Sequence, residues 1–88
     1  MSLAHSLPHS LPTLLIRPAR SSDGAALHRL AELDSARVPG GALLVAETDG
    51  ALVAAHAPDT GATIADPFRH TAAVVEVLHL RGALLRAS

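Results

Sequence analysis

The chain of 88 residues sets seven basic side chains against eight acidic ones, is 49% hydrophobic, and contains a single aromatic and no cysteine. A net charge of −1 offers no electrostatic footprint for nucleic acid or an acidic membrane, and the lack of thiols excludes a disulfide framework and a thiolate zinc site. One small domain cored by Ala, Leu and Val is what this composition can build, and so small a core gains most from a partner chain.

No run of eighteen uncharged apolar residues and no basic-then-apolar leader is present, so a cytoplasmic location is expected. All seven basic residues are arginine, which removes a lysine nucleophile of the Schiff-base kind.

Residues 1–12 contain a short duplication, His5-Ser6-Leu7-Pro8 followed by His9-Ser10-Leu11-Pro12. The prolines interrupt both helix and ladder, so this stretch reads as a disordered tail. His5 and His9 have the spacing of helical metal ligands, but Pro8 prevents that helix.

Thr13 to Arg17 is a β-rich run stopped by Pro18 and is expected as the first strand, 13–17. Ser21 or Ser22 can then cap a helix over 22–36, with Asp23 in its first turn against the dipole. Its apolar residues Ala26, Leu27, Leu30, Ala31 and Leu33 make one narrow stripe, leaving His28 in solvent. Arg37-Val38-Pro39-Gly40-Gly41 is expected to end the helix.

Gly41 to His56 reads as a β-hairpin, with strands 42–48 and 51–57 about Asp49-Gly50. A two-residue type I′ turn needs φ > 0 at both central positions, which Asp and Gly tolerate. That turn sets Thr48 opposite Ala51, Glu47 opposite Leu52, Val45 opposite Ala54 and Leu43 opposite His56. Both faces of the hairpin are then apolar, which calls for a covering helix on each. Glu47 is expected as a solvated turn carboxylate, and His56 as a half-buried, hydrogen-bonded core residue.

A fourth short strand is expected over 62–65, then a loop from Asp66 to His70, and then a helix over 70–86 capped by Thr71 or Asp66. The apolar residues of that helix nearly encircle it, so it needs contacts on two sides: the sheet, and a second chain reached through Val75, Leu78 or Leu85. The expected fold is therefore α+β, with a mostly antiparallel sheet of three to four strands in the order β-α-β-β-β-α and a single domain over 13–88.

Three stretches give this order a family likeness: Leu15-Ile16-Arg17-Pro18-Ala19-Arg20 with Ser22-Asp23-Gly24-Ala25-Ala26-Leu27; Leu44 to Ala55 around the Asp-Gly turn; and Ala62 to Ala65 before the Thr71 helix. Together they resemble the N-terminal half of the GCN5-related N-acetyltransferase (GNAT) superfamily. The resemblance implies acetyl-CoA as cofactor and puts Arg69, His70 and Thr71 where the family binds its pyrophosphate. In the family that loop is a Gln/Arg-x-x-Gly-x-Gly/Ala run; here it is Asp66-Pro67-Phe68-Arg69-His70-Thr71, with no glycine, one amide removed by Pro67 and a negative charge at Asp66. The later strands of the acceptor site are missing, and the chain has no Tyr for the family's usual general acid. The expected function is a non-catalytic binding or self-association module without cofactor, forming a homodimer or joining a partner chain. The alternative is an acetyl-CoA-dependent N-acetyltransferase whose site a second chain completes. The sequence assigns no catalytic residue and no metal ligand.

Overall fold

Residues 14–87 are described by the computed structural model. They form β1 (Leu14–Pro18), a 3-10 turn (Ser21–Asp23), α1 (Gly24–Leu33), β2 (Leu44–Thr48), β3 (Ala51–His56), β4 (Thr63–Ala65) and α2 (Ala72–Ala87). The four strands make one antiparallel sheet in the order β1-β2-β3-β4, with a helix on either face. This is the α+β arrangement and element order that the sequence leads one to expect. The expected tail and the His5–His9 pair lie outside the described residues.

The hairpin turn has the expected conformation, with φ of 52° at Asp49 and 85° at Gly50. Thr48 lies opposite Ala51 and Glu47 opposite Leu52 as anticipated, but the register then shifts between Ala46 and Glu47. Val53 is the extra residue of a β-bulge, so Val45 faces Ala55 rather than Ala54, and His56 faces Leu44 rather than Leu43. The bulge turns two successive side chains, Val53 and Ala54, to the same face. It also moves Ala55 to the opposite face.

On one face, Leu27, Leu30 and Ala31 of α1 pack on Leu43, Val45, Ala55, Ala57 and Ile64. On the other, Leu78 of α2 packs on Leu44, Ala46, Val53 and Ala54, with Ile16, Val74 and Val75 around it. Ala46, Ala54, Ala55 and Ala57 are fully buried, so both helices rest close to a sheet of small side chains and the two cores are thin.

Several boundaries differ from expectation for identifiable reasons. β1 continues through Pro18, which pairs with Leu44; an edge strand can hold a proline that donates nothing to the ladder. Ser21 and Ser22 lie in the 3-10 turn, and it is the amide of Arg20 that is capped, by Asp23 Oδ2 at 2.7 Å. α1 stops at Leu33, before Pro39-Gly40-Gly41. Ser35 adopts φ 50°, its amide bonds Glu32 O, and Ala36 N donates to Ala31 O at 2.9 Å, a Schellman closure built on a serine.

Leu78 corrects the expected interface. It is fully buried against the sheet and therefore unavailable to another chain, and Val75 packs beside it. The large exposed apolar side chains of α2 are Leu80, Leu84 and Leu85, at 66%, 67% and 56% exposure.

Candidate functional site

Among the described residues, four places carry polar chemistry or unsatisfied apolar surface. The first is the loop before α2. Arg69, His70 and Thr71 do converge there: with Leu14, Thr48, Val53 and Val74 they line a cavity of about 290 Å³. The loop carries its own anion, however. Asp66 Oδ1 accepts from the amide of Phe68 at 2.9 Å, its carbonyl accepts from that of Arg69 at 3.3 Å, and its Oδ2 lies 3.6 Å from Arg69 Nε. Asp66 thus forms an Asx turn in the loop, and Thr71 stands at the start of the helix, its carbonyl accepting from Val75 N at 2.8 Å. The amides of Phe68 and Arg69 and the Arg69 guanidinium therefore already face Asp66, whose negative charge disfavours a second anion beside it.

The second place is one that sequence reasoning missed. Arg17 on β1 donates from Nε to Glu47 Oε1 at 2.7 Å, and forks onto both oxygens of Asp23 at 2.8 and 2.9 Å. The network ties the first strand to the hairpin and to the start of α1, beside a cleft of about 460 Å³. Glu47 is therefore a paired carboxylate with 19% of its side chain exposed, and not a solvated one. Hydrogen bonds from Arg17 and the Arg20 amide hold Asp23 well below the usual carboxylate range, and the two acids push Arg17 above its ordinary value. A bidentate carboxylate held so strongly in its charged form is a poor proton acceptor, so this network is built to fasten. The available signal is the register: Arg17 lies diagonally across from Glu47, because Leu15 faces Glu47 and Arg17 faces Val45.

The third is a pair of imidazoles around one hydroxyl. His56 is 2% exposed, and its Nδ1 lies 2.8 Å from Thr63 Oγ1, which in turn lies 3.0 Å from His79 Nε2. The two rings sit 4.5 Å apart at 46°. Thr63 Oγ1 has one proton and two lone pairs, and the Gly61 carbonyl also lies within reach of that proton, so the ring tautomers decide which groups donate. Burial, then the charges that His79 and Arg86 can carry, push His56 below the ordinary histidine value. Gly82 makes this possible, since a Cβ there would come within 2.6 Å of His56 Nε2. The spacing of Thr63 and His56 is that of a nucleophile and its base. What faces the hydroxyl, though, is the carbonyl of Gly61 at 3.5 Å, which disfavours an oxyanion instead of stabilising it. The trio fastens α2 to β3 and β4.

The fourth is the outward side of α2. Ala73, Leu80, Leu84 and Ala87 are exposed there and Val77 is partly so, directly opposite the buried Leu78 and Gly82. Beside this strip, Ile16, Arg17, Pro18, Leu44, Arg81, Leu84 and Leu85 line an apolar groove of about 510 Å³. Among the described residues, no group of three or more His, Asp or Glu is placed to hold a metal ion, and no helix is long and apolar enough to cross a membrane.

Comparison with family models, characterised proteins and solved structures finds no match to this chain.

Proposed function

We propose that this chain is a cytoplasmic, acetyltransferase-like module that does no chemistry of its own and works by binding another protein through the outward side of α2. One observation carries the reading. A helix that needs only its Leu78 side for the core presents Leu80 and Leu84, two-thirds exposed, on the other. A contiguous apolar strip of that kind costs solubility unless a partner covers it. The Asp66 turn supports the non-catalytic part of the reading, because it occupies the amides of Phe68 and Arg69 and sets a carboxylate beside Arg69, where an acetyl-CoA pyrophosphate would bring a second anion.

A second reading, an acetyl-CoA-dependent N-acetyltransferase completed by a second chain, draws on the convergence of Arg69, His70 and Thr71 on one cavity. Isothermal titration with acetyl-CoA separates the two. The module should give no saturable heat up to millimolar cofactor, whereas saturable micromolar binding that is lost in Arg69→Ala would establish the second reading and overturn the first.

A further inference from the structure

The outward strip of α2 has a pattern of its own. Ala73, Val77, Leu80, Leu84 and Ala87 recur at spacings of four, three, four and three, which is the seam of a heptad with Val77 and Leu84 at a and Ala73, Leu80 and Ala87 at d. Glu76 then occupies the g position on one flank and Arg81 the e position on the other. Both are exposed, and neither takes part in an ion pair among the described residues.

These positions discriminate between occupants and between orientations. In a parallel two-helix pairing, a g residue of one chain meets the e residue five positions later in the other, so Glu76 meets the partner's Arg81 and symmetry repeats the contact. In an antiparallel pairing each flank meets its own kind, which brings Arg81 towards Arg81. At the centre of the seam, Val77 at a followed by Leu80 at d is the combination that favours two parallel strands. Two heptads are short for an isolated coiled coil, but this helix is already held on a sheet by its opposite face, so pairing incurs little of the cost of ordering it. Resting on the reading of α2 as a binding surface, we infer that its partner is a second copy of this chain, docked α2 on α2 in parallel.

The absence of native cysteine allows a direct test. Ala73→Cys and Ala87→Cys chains are oxidised separately and mixed, at about 50 μM and low salt. Parallel docking puts each position opposite itself, so each single variant should cross-link to a homodimer in high yield. Cross-linking only in the mixture would mean antiparallel docking and would overturn the inference, because the two positions lie about 21 Å apart along a helix. Glu76→Arg and Arg81→Glu supply a second arm, with folding checked by circular dichroism. Each alone should weaken the dimer roughly tenfold, since two attractions become two repulsions, and the two together should restore it to within about threefold. Absence of any dimer at about 100 μM wild-type chain would overturn the second copy as occupant. The non-catalytic reading would then still stand or fall by the acetyl-CoA titration, whose outcome does not depend on dimerisation.

Discussion

His56 shows how one side chain couples burial to pH. Its pKa is lowered by burial first, and by His79 and Arg86 after that, so the unfolded chain binds the proton more readily than the folded one. The contribution of neutral His56 to stability is therefore complete above about pH 6.5 and is lost as pH falls below that value. The urea midpoint should fall between pH 7.5 and pH 5.5. A His56→Asn variant, which keeps a hydrogen-bonding group towards Thr63 but cannot titrate, should show a flatter profile over the same range, and parallel profiles would show that another group is responsible. Asp23 does not intrude on this window, because its pKa is depressed and its contribution is lost only in more acidic solution. At this scale the sequence is an incomplete guide. The hydrogen-bonded burial of His56 follows from its place at a strand end, but its partners Thr63 and His79 come from β4 and α2, and no local rule brings them together. Glu47 fails as a solvated turn residue for the same reason: Arg17 lies thirty positions away in sequence and 2.7 Å away in space.

Among the elements, the hairpin is the most legible because its turn chemistry is local. Asp49 and Gly50 both have positive φ, and Gly50 at 85° has open space around it, so the effect of a side chain there would come from backbone strain and not from a clash. Gly50→Val should lower stability by about 1–3 kcal/mol in urea unfolding. Gly40→Val, at a loop glycine that has open space around it and no positive φ, is the control for adding a β-branched side chain, and should change it by less than about 1 kcal/mol. Equal small shifts would contradict the turn assignment. The bulge at Val53 is not legible, because Ala51 to Ala55 is apolar at every position and such a run reads equally well with or without an extra residue. The end of α1 is hidden for a comparable reason: a Schellman closure normally advertises itself with glycine, and here Ser35 occupies the left-handed position. In α2, apolar residues on all sides leave the choice of inward face to the sheet. Small Gly82 facing His56 fixes that choice and turns Leu78 inward, sending Leu80 and Leu84 out.

For the whole molecule, two thin cores on opposite faces of a four-stranded sheet leave two kinds of surface unfinished. The sheet edges are β1, closed in part by Pro18, and the three-residue β4, whose Ala65 amide is taken by Asp34 Oδ2 at 3.1 Å. Both edges are therefore short or blunted, as edges that avoid strand addition usually are. The outer side of α2 has no such protection, and that contrast is the reason the proposed second chain is assigned to the helix and not to the sheet. The proposal of a partner is already suggested by composition, since a small aliphatic core and an over-apolar helix point to it. The face is not, because it depends on how α2 is rotated on the sheet. Sedimentation equilibrium of the wild-type chain and of a Leu80→Glu, Leu84→Glu double variant, each checked for folded structure by circular dichroism, tests the central claim most directly. The wild type should be a dimer at about 100 μM and the double variant a folded monomer. A double variant that is unfolded, as Leu78→Glu should be, or a wild type that stays monomeric across the range, would contradict it.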